Sequence, residues 1–304
     1  MPPGPIAALR TEGLTKHYGR VVGLEDLNLA VEAGEIFGFL GANGSGKTTT
    51  IRLILDLLRP TRGRALVDGM DCRRDNLRVR DRVGYLPAEM PLYPEMSGAA
   101  YLQFLGRLEI RRPDGAWLHT LLGRFAVSDS DLTRPMGDLS HGMKRKFGII
   151  QALMGDRPLL VLDEPTSGLD PLMIEAFAET IRSLRAKGRT VFLSSHVLSE
   201  VEKLCDRVAL VSRGRLVKVA ALAEIRSTMP RRLRVAFSQP VAPPAQLPSD
   251  VRLVSADARE WRLELFGSAG RFLPSLSGLP VEDIDVESST LEEYILGLYS
   301  SGQA

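Results

Sequence analysis

The run Gly41-Ala42-Asn43-Gly44-Ser45-Gly46-Lys47-Thr48 fits the spacing G-x-x-x-x-G-K-[ST]. Its glycines let the main chain curl into a concavity of N–H groups suited to phosphate oxygens, and a helix starting there adds partial positive charge. Lys47 would neutralise β- and γ-phosphates, the Thr48 hydroxyl would hold Mg²⁺, and Thr49 follows in the same first turn. Farther along, Asp163 and Glu164 close the apolar run Leu159-Leu160-Val161-Leu162. A carboxylate at the C-terminal edge of a strand faces such a loop in an open α/β sheet. Asp163 would hold Mg²⁺ there and Glu164 would polarise an attacking water. Together these residue types could transfer a phosphoryl group to water.

The elements needed to position them are legible around them. Glu35 to Leu40 is a continuous apolar strand ending in the glycine-rich turn, and Thr48 to Leu58 reads as a helix. Leu27, Leu29 and Val31 alternate with polar neighbours, as in a strand with one buried face. Leu159 to Leu162 suits a strand buried on both faces, and so does Thr190 to Ser194, after a helix that Pro171 opens and Gly188 closes. Residues 7–219 thus alternate strands and helices as an α/β domain on a largely parallel sheet does. Between about Ser97 and Phe125 the pattern turns helical, with Tyr101, Leu102, Leu105 and Leu108 at helical spacing. A helix beginning near Ser140 carries the apolar stripe Met143, Phe147, Ile150 and Met154, so its first N–H groups lie free at residues 140–142.

One further set of residues brings a resemblance. Leu139-Ser140-His141-Gly142-Met143-Lys144 precedes Asp163 by about twenty residues, Ser167-Gly168-Leu169-Asp170 follows it, and His196 comes later. With the phosphate loop, residues 7–219 resemble the ATP-binding subunit of an ABC transporter, most closely the export-type branch paired with a separate permease. The resemblance implies a P-loop NTPase fold of the ABC type with a helical subdomain at about 95–140. It implies ATP and Mg²⁺ as cofactors, with Tyr18 stacking on adenine and His196 contacting the γ-phosphate. Ser140 and Gly142 match the signature loop that reaches the nucleotide on the other subunit, and Asp170 matches the residue coupling the two sites. The implied assembly is a homodimer or heterodimer of ATPase subunits driving an integral-membrane permease, peripheral on the inner face of the cell membrane.

Two positions depart from the family pattern. The signature is more often Leu-Ser-Gly-Gly-Gln, where this chain has His141 and Met143. Aligning on Leu92-Tyr93-Pro94 puts Ala88, which has no polar side-chain atom, where the family usually has Gln or Glu; Glu89 would take that place if the loop shifts by one residue.

Composition sets the outer limits. The chain has 304 residues, 44% hydrophobic and 25% charged, values of a globular protein with a sizeable core. Its longest uncharged run, Val235 to Ser249, has 15 residues and four prolines, too short and too broken to span a bilayer. MPPGPIAALR shows no secretion signal, and Cys72 and Cys205 build neither a disulfide framework nor a metal site, so a cytoplasmic setting is expected. From Ala220 onward, 8 Lys/Arg stand against 11 Asp/Glu, net −3, so the overall +2 leaves +5 on residues 1–219. Prolines gather at Pro230, Pro240, Pro243, Pro244 and Pro248, and Trp261 to Phe266 alternates as a strand. Ser289 or Thr290 starts a last helix with Leu291, Tyr294, Ile295 and Leu298. Residues 220–304 are read as a small accessory α+β domain. The basic clusters Arg73 to Arg82, Lys144-Arg145-Lys146 and Arg231-Arg232-Leu233-Arg234 lack interleaved aromatics and read as solvated or salt-bridged surface, so no nucleic-acid partner is expected. The alternative, a soluble ABC ATPase acting on ribosomes or DNA, fits less well. The chain has one phosphate loop, and Asp163 lies only 116 positions after Lys47. A P-loop kinase or GTPase would leave Ser140–Gly142 and His196 unexplained.

Overall fold

The structure, a computed structural model, describes residues 7–90, 93–109, 113–243, 247–266 and 269–288. The chain divides into two units, Met1–Val219 and Ala220–Ala304. In the first, β1 (Leu9–Tyr18), β2 (Val21–Val31) and β3 (Ile36–Leu40) lead into α1 (Lys47–Ile54). β4 (Arg62–Val67), β5 (Met70–Asp71), α2 (Asn76–Arg80) and β6 (Val83–Leu86) follow. Four helices come next: α3 (Gly98–Leu108), α4 (Gly115–Arg124), α5 (Asp129–Thr133) and α6 (His141–Met154). Then β7 (Leu159–Asp163), α7 (Pro171–Ala186), β8 (Thr190–Ser195), α8 (Leu198–Leu204), β9 (Arg207–Ser212) and β10 (Arg215–Ala221) complete the unit.

The main sheet has the order β10-β9-β3-β8-β7-β6, and every pairing from β9 to β6 is parallel. β3, β7 and β8 are buried along their whole length, as strands covered on both faces must be. A separate sheet, β2-β1-β4-β5, is antiparallel throughout. Leu27, Leu29 and Val31 point from it into a core shared with Phe37, Phe39, Ile51 and Phe192. The alternation of β2, against the unbroken burial of β3, β7 and β8, marks it as a strand of a one-faced antiparallel sheet, so the single sheet expected from sequence becomes two.

Local chemistry sets the helix limits. α1 ends at Ile54 rather than Leu58, because Asp56 adopts a left-handed conformation (φ 52°) and turns the N–H groups of Leu57 and Leu58 back onto the Arg52 carbonyl. The helical stretch is capped as its sequence directs: Ser97 Oγ accepts from Ala100 N, Asp114 from Ala116 N, and Ser128 with Asp131 forms a capping box. Tyr101 and Leu102 are buried there, whereas Leu108 is exposed.

In α6, Phe147, Ile150 and Met154 are buried as the stripe requires, and Met143 is half-buried. The cluster Lys144-Arg145-Lys146 is not a solvated face: Arg145 is only 3% exposed. It lies on the side of α6 turned toward the β6 and β7 ends, where uncapped carbonyls await donors.

The second unit holds α9 (Leu222–Thr228), β11 (Arg231–Phe237), β12 (Val251–Ala256), β13 (Glu260–Leu265), α10 (Ala269–Phe272) and β14 (Val281–Ser288). Its sheet, β12-β13-β11-β14, is antiparallel. One face buries Leu233, Val235, Phe237, Trp261 and Leu263, with Trp261 edge-on to Phe237 at 4.5 Å. Arg234 on the other face pairs with Glu260 (3.1 Å) and Asp283 (3.5 Å). The last helix expected from Ser289 or Thr290, like Leu92 of the alignment run, lies outside the described residues.

Candidate functional site

The glycines of the loop after β3 are required by space and conformation. A Cβ on Gly41 would stand 2.3 Å from Ser45 Oγ and 2.4 Å from the Val211 carbonyl. Gly46 caps α1 at φ 109°, a conformation few other residues adopt. The result is a turn whose N–H groups converge at the start of α1, with Lys47 and the half-buried Thr48 and Thr49 in its first turn. Lys47 Nζ donates to the Gly41 carbonyl (2.8 Å) and the Ala42 carbonyl (3.3 Å) and lies 3.2 Å from Glu164 Oε1.

Asp163 is the last residue of β7 and is fully buried. Its Oδ1 accepts from Ser194 Oγ at 2.5 Å, while Oδ2 has no hydrogen-bond partner among the described residues. A buried carboxylate oxygen left bare is costly unless something charged or hydrogen-bonding meets it. Glu164 adopts φ 50°, uncommon for a non-glycine residue and a form of strain concentrated at functional sites. Two bonds hold it so: its N–H donates to the Ser194 carbonyl (3.2 Å) and to Ser194 Oγ (3.1 Å). Its side chain bridges Lys47 through Oε1 and His196 Nδ1 through Oε2, the latter at 2.5 Å. β8 lies between β3 and β7, so the phosphate loop, the carboxylates and His196 all emerge from adjacent parallel strands at their C-terminal ends.

Sequence reasoning missed Ser194 and Arg145. Arg145 spends its N–H groups on five main-chain carbonyls. Nε donates to Pro165, Nη1 to Pro87 (2.7 Å) and Ala88 (3.1 Å), and Nη2 to Asp163 (2.6 Å) and Glu164 (2.5 Å). Burial pushes its pKa down to about 10, against the attraction of the Asp163 and Glu164 carboxylates, so it stays charged at neutral pH. The signal for it was a cation within a helix whose following residues, Phe147 to Met154, are almost all apolar.

A cavity of about 450 Å³ gathers most of the sequence-derived site. The loop residues Asn43, Gly44 and Gly46 line it with Lys47, Thr48 and Thr49, and Glu164, Ser167 and His196 face them. Tyr18, Val21 and Val22 supply an exposed apolar wall, and Gly23 leaves room for the Tyr18 ring, since a Cβ there would stand 2.6 Å from it. Gly41, Ala42 and Ser45 shape the loop from behind. Ala88 lines the cavity; Glu89 does not. Ser140, Gly142 and Asp170 are not part of the lining. Ser140 Oγ caps α6 through Met143 N (3.2 Å), Gly142 lies against Gly168, and Asp170 caps α7 through Met173 N (2.9 Å). The donor set suits a nucleoside triphosphate with magnesium. A nest of N–H groups and a lysine meet phosphates, and the bare Asp163 Oδ2 with the Thr48 hydroxyl is the small oxygen set that magnesium takes when phosphates complete its shell.

A family profile described as "ABC transporter" matches residues 24–167. The chain is 34% identical over 304 residues to the daunorubicin resistance ATP-binding protein DrrA3 of Streptomyces coeruleorubidus, covering 96% of this chain and 95% of that one. It is 41% identical over 211 residues to an uncharacterised ABC transporter ATP-binding protein, all4389, of Nostoc sp. (strain PCC 7120), covering 68% of this chain and 62% of that one. A solved structure described as the ATP binding subunit of an ABC transporter superposes with a TM-score of 0.67 at 31% identity, over 72% of this chain and 92% of that one.

Proposed function

The chain belongs to the family of ABC transporter ATP-binding proteins, which are ATPases, and from that premise we propose how its own residues turn ATP over. The observation that carries the reading is the Glu164 carboxylate, held at the end of β7 between Lys47 (3.2 Å) and His196 (2.5 Å). Adenine stacks on Tyr18 beside Val21 and Val22. The phosphates fill the N–H nest of residues 41–48 and take over Lys47 from the Gly41 and Ala42 carbonyls and from Glu164. Glu164, released from the lysine, accepts a hydrogen bond from the attacking water, with His196 fixing its second oxygen. Asp163 and Thr48 would hold Mg²⁺, which when bound offsets phosphate charge and fixes phosphate orientation.

Two copies, or this chain and a paralogue, clamp two nucleotides head to tail, with Ser140 and Gly142 of each meeting the γ-phosphate of the other and Asp170 between the sites. The position of both residues outside their own chain's cavity supports this. Closure on ATP is passed to a separate integral-membrane permease, as a ligand-driven population shift. The exposed ring pair Tyr93 and Phe104, 5.6 Å apart, and the exposed Leu108 on the helical part make an apolar docking surface for it. No described helix is long and apolar enough to cross a membrane. On this reading the subunit lies on the inner face of the cell membrane through a separate permease, as an exporter's motor, and its support is the likeness to the daunorubicin resistance ATP-binding protein. Residues 1–219 form its ATPase domain and residues 220–304 an accessory domain.

Glu164→Gln tests the reading. ATP binding should persist, turnover should fall by about a hundredfold or more, and ATP should drive a stable dimer seen by size-exclusion chromatography. Turnover at the unmodified rate would remove Glu164 from its role.

A further inference from the structure

We propose that Arg145 is a positioning residue that sets Glu164, so that the hydrolytic carboxylate is correctly placed only while the helix carrying Ser140 and Gly142 is seated. The inference rests on Glu164 being the base.

β6 and β7 stop pairing just before the carboxylates. Their last rung joins Leu86 to Leu162. Beyond it the two main chains diverge, Pro87–Ala88 bringing Ala88 to the cavity and Asp163–Glu164–Pro165 carrying the carboxylates as β7 ends. Carbonyls beyond the end of a ladder need donors from elsewhere when they are buried. All five of the N–H groups of Arg145 go to carbonyls of these two segments. The guanidinium therefore continues the β6–β7 pairing past its last rung. It does so from a third element, α6, one and a half turns from the N-terminal cap Ser140.

A merely structural buried cation would be expected to meet a carboxylate or to be replaceable by an apolar side chain of similar size. Arg145 makes no hydrogen bond to a carboxylate among the described residues; its bonds are to main chain. The carbonyl of Glu164 is one of them, and the next rotatable bonds lead to the reacting carboxylate at φ 50°. The planar fork is what makes this possible: a lysine has the charge but three donors from one point, and cannot reach five carbonyls in two segments. The position also bears on Ala88, which offers the cavity no polar side-chain atom. In this chain the 87–88 loop is tied to the signature helix through its main chain instead.

The test is a double-mutant cycle on the full chain, reading single-turnover ATP hydrolysis at saturating ATP together with ATP affinity. Arg145→Lys should lower the hydrolysis rate about tenfold or more while leaving the ATP dissociation constant within about threefold. Arg145→Gln, uncharged and with fewer donors, should behave alike. Added to Glu164→Gln, either change should cost nothing further, because both act on one group. An unmodified rate in Arg145→Lys, an equal loss of affinity and rate, or full additivity with Glu164→Gln would overturn the proposal. A Glu164→Gln chain that turns over normally would instead overturn the role of Glu164. Should neither Arg145 variant fold, hydrogen exchange on the unmodified chain decides. The amides of Ala88 to Met90 and those of Glu164 and Thr166 to Gly168 should gain protection together on adding ATP and magnesium, and independent responses would overturn the coupling.

Discussion

Glu164 holds its unusual backbone conformation because Ser194 gives it both a carbonyl and a hydroxyl to donate to, and the same hydroxyl satisfies one oxygen of Asp163. Ser194→Ala would strip the Asp163 carboxylate of the one hydrogen bond it has among the described residues while leaving it buried. The expected cost is about 1–3 kcal/mol in denaturant unfolding, with hydrolysis falling more than magnesium-free nucleotide binding. Equal stability in the variant would show that the contact carries nothing. The loop from Gly41 to Thr48, by contrast, could be recognised at once, because a phosphate nest is built from consecutive residues and its glycines are steric necessities. Asp163 and Glu164 stood out through the apolar run that precedes them, whereas His196 was singled out only by the family resemblance. Ser194 was not, since a serine ending a buried strand looks like any strand end. Arg145 was hidden by its neighbours: three cations in a row read as solvent-facing, and only the packing of α6 turns the middle one inward.

At the level of elements, helix α7 shows how a single side chain starts a helix. Asp170 accepts from Met173 N at 2.9 Å and starts a 16-residue helix with Pro171 in its first turn. Asp170→Ala should cost about 1 kcal/mol of unfolding free energy, and Asp170→Asn, an equally good cap, should cost little. If the charge also couples two nucleotide sites, Asp170→Asn should lower cooperativity of hydrolysis in ATP without moving the melting temperature. A flat response in both would leave the residue as a cap alone. Helix starts of this kind were readable because caps and first-turn prolines are local chemistry. The end of α1 was not: a left-handed aspartate leaves no mark, and the periodic leucines continued past it to Leu58. The antiparallel sheet was only half hidden: β1 meets β2 and β4 meets β5 across two-residue turns, Gly19-Arg20 and Asp68-Gly69, and only the β1–β4 pairing joins segments far apart in sequence.

Across the whole molecule, each unit carries a single tryptophan and its own apolar cluster. Trp117 donates from Nε1 to the Leu153 carbonyl, and Trp261 is buried in the second unit's sheet. With Trp117→Phe, the remaining indole reports the second unit by itself. ATP at a hundredfold its dissociation constant should stabilise the first unit by about 2.7 kcal/mol and leave the Trp261 transition where it was. A matching shift at Trp261 would mean that the two units unfold as one. The strand order has a last consequence. The phosphate loop, the two carboxylates and His196 emerge from the C-terminal ends of β3, β7 and β8, whereas the segments entering those strands, around Glu32–Glu35, Asp156–Pro158 and Lys187–Arg189, carry fastenings such as the Arg189–Asp156 pair at 2.5 Å. The sheet has a working rim and an idle one. Along the idle rim Arg157 is held by Asp81 and Glu109 and Glu35 by Arg207, so a tether or reporter belongs at an exposed turn residue such as Ala33, where ATP turnover should stay at the unmodified rate.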